Sequence, residues 1–200
     1  MDTAPAQETP EIVSTTALER SESKRDFLRF ALIAVLIVLP IRLFIAQPFI
    51  VDGASMDPTF FSGQYLIVDE LSFYTRDPER GEVVIFKYPE KPSKYYIKRV
   101  IGLPGETISG QGAMITITNP AHPQGFVLEE SYLTHNAPSN FTRTLGTGEY
   151  FVMGDNRPAS SDSRSWGAVP RANMVGRAFL RLFPFNRMSY LPGTIAEPAP

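Results

Sequence analysis

The chain has 200 residues, of which 43% are hydrophobic, and a formal net charge of −2. This length allows one folded domain with short appendages. The charge balance is not typical of nucleic-acid-binding proteins, whose binding faces are basic. The sequence has no cysteine, which excludes disulfides, thiolate metal sites and a cysteine nucleophile. It does not assign the protein to either side of a membrane, because a domain of this size can be stable without disulfides.

The N-terminal part divides into two segments of different composition. Residues 1–26 are rich in Ala, Pro, Glu, Ser and Thr without a sustained apolar period, so we predict a disordered tail. Residues 27–46 (FLRFALIAVLIVLPIRLFIA) contain an uncharged apolar run that Arg29 and Arg42 flank. Because long arginine side chains can reach the membrane surface, and a span needs ~20 residues, this segment predicts one transmembrane helix.

Two other interpretations of residues 27–46 are a cleavable signal peptide and a helix buried in a soluble core. The signal peptide is disfavoured because the chain continues apolar through LFIAQPFIV instead of reaching a small-residue cleavage site. Lys24, Arg25 and Arg29 lie at the start of the segment, and residues 47–75 contain no Lys or Arg. The positive-inside rule then predicts a single-pass protein of the cytoplasmic membrane, with a cytoplasmic N-terminus and an extracytoplasmic remainder.

The following residues, 47–190, carry the signals of a mainly β domain with antiparallel sheets. No long stretch shows a helical period, and proline is scattered throughout. Residues 110–147 include an irregular stretch, 120–138, and we predict a small cap or insertion there. Residues 191–200 predict a frayed C-terminal tail. Six stretches rich in β-branched or aromatic residues predict strands: YLIVDEL, GEVVIFKY, KYYIKRVI, MITIT, GEYFVMG and VGRAFLRLF.

The chain offers few of the usual catalytic groups. Its two histidines, His122 and His135, both fall in the irregular stretch, and no spacing indicates a metal site. A Ser-His-Asp triad is possible in principle, but we interpret both histidines as exposed loop residues. A hydrolase without histidine can use a lysine whose pKa is lowered by burial. A serine beside such a lysine is a self-contained catalytic pair.

Strand periodicity does not identify that lysine. In KYYIKRVI, Lys98 shares a strand face with Tyr96 and Val100. The opposite face carries Ile97 and Arg99 and looks more like core. From alternation alone, Lys98 is interpreted as a half-exposed strand residue.

Four blocks of sequence, in this order, resemble the bacterial type I signal peptidases: FIVDGASMDPTF, RGEVVIFKYP, YYIKRVIGLPGE and GDNRPASSDSRSWGAVP. The resemblance implies a membrane-bound serine endopeptidase that removes N-terminal signal peptides from exported preproteins. It implies cleavage after small residues in an Ala-x-Ala pattern, through an acyl-enzyme and without metal or cofactor. It also implies an antiparallel β domain with a small cap.

Roles carry over residue by residue. The resemblance implies that Ser55 is the nucleophile, that Lys98 is the general base, and that Ser160 positions the lysine amine. Asp162 and Arg164 match a charged pair that shapes the site. The positions that match substrate-pocket walls are Phe49, Val51, Met56, Ile85, Tyr96 and Ile97.

The oxyanion site departs from some relatives. Where some members have a serine hydroxyl that helps bind the oxyanion, this chain has Gly53. We predict the Ser55 backbone N–H as the main donor. The second donor stays open between the backbone of Gly53, a water molecule and none.

The implied partners are preproteins bearing signal peptides and the lipid bilayer, with no nucleic acid and a monomeric chain. One alternative function is a processing peptidase dedicated to a single secretion or conjugation substrate. Another is a catalytically inactive, anchored binding module. The presence of Ser55, Lys98 and Ser160 together argues against the inactive module.

Overall fold

A computed structural model describes the backbone of residues 15–40 and 46–195, with side chains for residues 24–38 and 48–195. The chain divides into two compact units, Met1–Leu43 and Phe44–Pro200. In the first unit, helix α1 covers Thr15–Pro40. The second unit contains all described strands.

Helix α1 overlaps two segments that the sequence predicts to be different. It begins within residues 1–26, predicted to be a disordered tail, because ALERSESKRD is rich in strong helix formers. It also includes residues 27–40 of the predicted span, whereas residues 1–14 and 41–45 lie outside the described part. The large apolar side chains from Phe27 to Val38 are exposed. Among described residues, no helix has both the length and the apolar character that a bilayer crossing requires.

The second unit is mainly β, as predicted. It also contains two short helices, α2 (Ser72–Thr75) and α3 (Ser163–Trp166). Its strands are β1 (Ala46–Ile50), β2 (Tyr65–Asp69), β3 (Val83–Lys87), β4 (Tyr95–Gly102), β5 (Thr107–Gly112), β6 (Met114–Asn119), β7 (His122–Val127), β8 (Ser139–Thr144), β9 (Glu149–Met153), β10 (Val169–Pro170), β11 (Met174–Phe183) and β12 (Ser189–Tyr190).

These strands form two antiparallel sheets. The larger sheet has the order β1-β2-β11-β3-β4-β9-β10, with β12 paired to β11. The smaller sheet has the order β7-β6-β5-β8 and forms the cap. Strands β3 and β4 pair in register, with Val84 opposite Lys98. Central strands of the larger sheet are apolar along their length (VVIF in β3, YFVM in β9) because both of their faces are covered.

The hydrophobic core has three clusters, two of which position the elements described below. One contains Val51, Met56 and Phe60 and lies under the turn between β1 and β2. Another joins the two sheets, because Ile101 and Phe151 of the larger sheet share it with Ile108 and Ile117 of the cap. The cap is therefore fixed to the larger sheet by buried apolar contact.

All six predicted strands are present, as β2, β3, β4, β6, β9 and β11. The predicted irregular stretch, 120–138, differs, because His122–Val127 pairs with β6 as strand β7. His122 and His135 are both exposed, as expected, but only His135 lies in a loop, because His122 begins strand β7.

The predicted C-terminal tail, residues 191–200, differs from the structure at its start. Pro192 is buried, and the Gly193 carbonyl accepts a hydrogen bond from the Arg99 guanidinium. The Leu191 N–H donates to the Phe179 carbonyl at 2.8 Å. Residues 191–195 therefore pack on the domain and provide partners for its buried polar groups. Residues 196–200 lie outside the described part.

Candidate active site

The turn between β1 and β2 presents Ser55. Val51 and Gln64 close the base of this turn, with the Val51 N–H donating to the Gln64 carbonyl at 2.9 Å. Met56 and Phe60 are 1% and 0% exposed and anchor the turn in the core below. Ser55, next to the buried Met56, stays partly exposed. The alternation of buried anchors and a partly exposed serine fixes the turn and leaves the Ser55 hydroxyl accessible.

Lys98 reaches this hydroxyl from strand β4. Its Nζ lies 2.7 Å from Ser55 Oγ and 2.8 Å from the Ile97 carbonyl oxygen. The Lys98 side chain is only 4% exposed. Burial lowers the pKa of its amine to about 8, although the negative charges of Asp162 and Asp155 act in the opposite direction.

Alternation predicted a half-exposed Lys98, and this prediction is wrong for a physical reason. Strand β4 lies between β3 and β9 in the sheet, and both of its faces are covered from Lys98 onward. Neighbouring Lys98 and Arg99 are therefore both buried, at 4% and 1% exposure. A strand that is covered on both faces has no polar face, so alternation does not separate core positions from surface positions there.

The segment after β9 packs against Ser55 from the other side. A Cβ at Gly154 would lie 2.2 Å from Ser160 Oγ and 2.4 Å from the Ser55 carbonyl oxygen, so only glycine fits this position. Ser160 Oγ is buried and has no hydrogen-bond partner among the described residues. Ser160, which the resemblance implies to position the Lys98 amine, thus makes no hydrogen bond to that amine in this structure.

Asp162 and Arg164, matched by the sequence to a charged pair, do lie together. Arg164 Nε and Nη2 each lie 2.8 Å from an Asp162 carboxylate oxygen. Asp162 is fully buried and also accepts from the Gly154 N–H at 3.1 Å. Arg164 Nη2 donates to the Arg157 carbonyl at 2.8 Å. The pair therefore ties Gly154, beside Ser55, to helix α3.

A second buried ion pair, which the sequence did not predict, lies on the other face of β4. Arg99 Nη2 lies 2.6 Å from Asp155 Oδ2, and Arg99 Nε lies 2.8 Å from Oδ1. Thr59, on the turn between β1 and β2 that carries Ser55, donates its hydroxyl to the same carboxylate at 2.5 Å. Arg99 Nη1 also donates to the Gly81 carbonyl at 2.8 Å. A charged residue inside an apolar strand was the available signal for this pair.

Backbone geometry explains the glycine that replaces an oxyanion hydroxyl. Gly53 has a φ of +92°, a conformation that favours glycine, and its N–H donates to Ser62 Oγ at 3.3 Å. The Ser55 N–H donates to no protein acceptor among the described residues. It is therefore available to a substrate oxygen.

A cleft of about 310 Å³ runs past Ser55 and Lys98. Five predicted wall residues line it: Phe49, Val51, Ile85, Tyr96 and Ile97. The sixth, Met56, does not, because it points down into the core cluster with Phe60. The cleft has further lining residues that were not predicted from the sequence: Ile50, Asp52, Ala54, Leu66, Tyr95, Ala159 and Ser161.

Comparisons with known proteins agree on one family. The family model described as "Signal peptidase, peptidase S26" matches residues 24–183. Signal peptidase I P of Bacillus subtilis subsp. natto is 35% identical over 171 residues, covering 82% of this chain and 92% of the relative. Signal peptidase I of Leptolyngbya laminosa is 37% identical over 169 residues, covering 80% of this chain and 79% of the relative.

A solved signal peptidase I from Enterococcus faecalis V583 is 33% identical, with a TM-score of 0.44. That comparison covers 51% of this chain and 97% of the crystallised one. The family model spans most of the chain, and both curated relatives exceed 30% identity over about four fifths of it. The chain therefore belongs to the signal peptidase I family, peptidase S26, whose members are serine endopeptidases.

Proposed function

We propose that this chain is a membrane-anchored endopeptidase that removes signal peptides from exported preproteins with a Ser55–Lys98 dyad. Family membership supports signal-peptide removal by a serine protease. The observation that carries the dyad is the 2.7 Å distance from Lys98 Nζ to Ser55 Oγ, made by a lysine that is only 4% exposed.

In the proposed reaction, Lys98 accepts a proton and then donates it in each of two steps, acylation and deacylation. Neutral Lys98 takes the proton of the Ser55 hydroxyl while Oγ attacks the scissile carbonyl carbon. The Ser55 N–H donates to the oxyanion that forms. Protonated Lys98 then gives its proton to the leaving amine, and the acyl-enzyme remains. Lys98 next takes a proton from a water molecule, whose oxygen attacks the acyl carbon. Lys98 then returns this proton to Ser55 Oγ as the ester bond breaks, which releases the carboxylic acid product and restores the free enzyme.

Burial suits Lys98 to this role. An ordinary lysine is almost fully protonated at neutral pH and has no lone pair to offer. A pKa of about 8 leaves a substantial neutral fraction in the physiological range. The amine also remains a strong enough base to accept a hydroxyl proton. Ser160, whose buried Oγ has no hydrogen-bond partner among the described residues, is proposed to position this amine, and the Asp162–Arg164 pair is proposed to shape the site.

The cleft supports a preference for small residues before the cut. Ile85, Tyr96 and Ile97 line its walls near the dyad. A hydrophobic pocket discriminates a single methylene by only ~1–3 kcal/mol, but a bulky side chain would clash outright. We propose cleavage after an Ala-x-Ala pattern. A preprotein with Phe immediately before the cut should be refused, and its efficient cleavage would contradict this pocket.

The proposed anchor is residues 27–46, with an extracytoplasmic catalytic domain. The exposed apolar side chains from Phe27 to Val38 support it, as do Lys24, Arg25 and Arg29 at its start. A reporter fused after Pro200 should be active outside the cytoplasm. A protease-protected C-terminus in intact spheroplasts would contradict the proposed orientation.

The dyad is tested with the detergent-solubilised full chain and one preprotein. Ser55→Ala and Lys98→Ala should each reduce cleavage by at least about 10³-fold, because residues of a catalytic unit fail together. Lys94→Ala is the matched control, since Lys94 lies just before the same strand and is exposed. It should cleave like the wild type. Substantial turnover by Ser55→Ala or Lys98→Ala, with the fold intact, would reject the dyad.

A further inference from the structure

Asn156, just after strand β9, binds two consecutive carbonyls of the turn between β1 and β2. This turn carries the proposed nucleophile Ser55 and is called the nucleophile turn below. Its backbone N–H donates to the Ser55 carbonyl at 3.0 Å. Its side-chain Nδ2 donates to the Ala54 carbonyl, also at 3.0 Å. Because a carbonyl oxygen can only accept, this contact requires the NH₂ group of the Asn156 amide to face Ala54.

The bond to Ala54 controls a group on the opposite side of the same peptide unit. The Ala54 carbonyl and the Ser55 N–H belong to one peptide plane, and this peptide is not among the cis bonds of the described chain. In a planar trans peptide, C=O and N–H point in opposite directions. A donor that fixes the direction of the Ala54 carbonyl therefore also fixes the direction of the Ser55 N–H.

Hydrogen bonding also changes the strength of that N–H as a donor. The Ala54 carbonyl accepts from the Asp57 N–H at 3.2 Å as well as from Asn156 Nδ2. Hydrogen bonds in a chain polarise one another, so a peptide whose carbonyl accepts donates more strongly through its N–H. Asn156 thus favours both the aim and the donor strength of the Ser55 N–H.

We propose that Asn156 is a positioning residue of the oxyanion site, which aims the Ser55 N–H at the oxyanion of the tetrahedral intermediate. This inference rests on the proposed function, in which Ser55 is the nucleophile. The role has more weight in this chain than in one with a hydroxyl donor, because Gly53 has no side chain to share the charge. Asn156 acts through the backbone, so it affects the transition state without changing substrate binding or the proton affinity of Lys98.

Asn156→Asp tests this role at nearly constant side-chain size. An ionised carboxylate cannot donate to the Ala54 carbonyl and repels it. Loss of one oxyanion donor outright costs ~10²–10³-fold in kcat. Since the Ser55 N–H is misdirected rather than lost, we expect kcat to fall by about 10- to 100-fold. KM should stay within about two-fold of wild type, because the oxyanion exists only after attack begins.

Asn156→Ala separates side-chain donation from folding. It keeps the backbone bond to the Ser55 carbonyl, and a water molecule can replace the lost donor, so its kcat should fall less than that of Asn156→Asp. In Asn156→Ala the pH midpoint of kcat/KM should match that of the wild type, because this variant adds no charge near Lys98. A general loosening of the turn would instead move this midpoint, since it would alter the Ser55–Lys98 contact. The midpoint of Asn156→Asp is not compared, since its new carboxylate would itself raise the pKa of Lys98.

Asn136→Asp is the matched control. Asn136 Nδ2 also donates to a backbone carbonyl, that of Ala113, at 2.9 Å, but in the exposed cap. This control should keep wild-type kcat. Thermal unfolding identifies variants that fail to fold. If Asn156→Asp does not fold, the kcat of Asn156→Ala decides alone. Wild-type kcat in folded Asn156 variants, an effect on KM alone, or a shifted pH midpoint in Asn156→Ala would overturn the proposal. An active Ser55→Ala enzyme would instead overturn the dyad on which it rests.

Discussion

The two faces of strand β4 bury neighbouring basic residues in opposite ways. On one face, Lys98 is 4% exposed, and among the described residues its amine hydrogen-bonds to neutral groups, the Ser55 hydroxyl and the Ile97 carbonyl. On the other, Arg99 is 1% exposed and forms a two-point ion pair with Asp155. An arginine stays protonated and needs a counter-charge when buried, whereas a lysine can lose its proton instead.

This difference gives the neighbouring residues Lys98 and Arg99 different roles, a proposed catalytic one and a structural one. Burial without a contacting carboxylate lowers the pKa of Lys98 to about 8 and makes it usable as a base. Burial with a carboxylate keeps Arg99 charged, and it links β4 to Asp155 and to the C-terminal Gly193 carbonyl. The strand thus presents the proposed general base on one face and a structural arginine on the other.

Lys98→Arg should have the largest effect, because it puts a permanent charge on the reactive face. A guanidinium cannot become neutral in the accessible pH range. We expect at least a 10³-fold loss of kcat/KM, with no recovery up to pH 10, in preprotein cleavage assays. Recovery of activity at high pH in this variant would argue against lysine as the base.

Gly154→Ala should have the second largest effect. Residue 154 contacts the nucleophile turn, and residue 155 forms the ion pair with Arg99 on the other face of β4. The added methyl would overlap Ser160 Oγ and the Ser55 carbonyl oxygen. Displacement of the nucleophile turn by even 1 Å can cost ~100-fold in rate, and we expect a loss of that order in kcat. Gly146→Ala is the control, since its methyl would meet only the flexible Glu149 side chain, at 3.2 Å or more. Equal activity of the two variants would show that the close contact at Gly154 is unimportant.

Arg99→Ala tests the structural face. It leaves the Asp155 carboxylate buried and without its guanidinium partner. Breaking a buried pair in this way costs ~3–5 kcal/mol, measured as the free energy of unfolding in denaturant. Arg143→Ala, at an exposed arginine of the cap, should cost far less. A change below about 1 kcal/mol in Arg99→Ala would place this pair with weak surface ion pairs.

The sequence predicts more of the fold than of the candidate site. Six strands were predicted because their apolar residues are dense and turn residues bound them, whereas polar β7 (HPQGFV) offered no such signal. Most pocket walls followed from family resemblance. Asn156 and Asp155 were not predicted, because Asn156 lies 102 positions from Ala54 and Asp155 lies 56 positions from Arg99, and only folding brings these partners together. Alternation misassigned Lys98, since it assumes that one strand face meets solvent.

Gly53→Ala and Gly53→Ser should have the smallest effects. Space is open around a Cβ there, but the φ of +92° strains any other residue. We expect both variants to lose ~1–2 kcal/mol of unfolding free energy. Ser should retain more turnover than Ala if its hydroxyl reaches the oxyanion. Equal turnover of the two folded variants would exclude a side-chain oxyanion role at this position.

The pKa of Lys98 is the quantity that separates the two faces of β4. Below its pKa the amine keeps its proton and cannot act as a base, so kcat/KM should rise with pH as that proton is lost. The pH dependence of kcat/KM for the free enzyme reports this value directly. We predict a midpoint near pH 8, set by burial of the amine. A midpoint near 10.5, the ordinary lysine value, would show that Lys98 is not desolvated and would contradict the account.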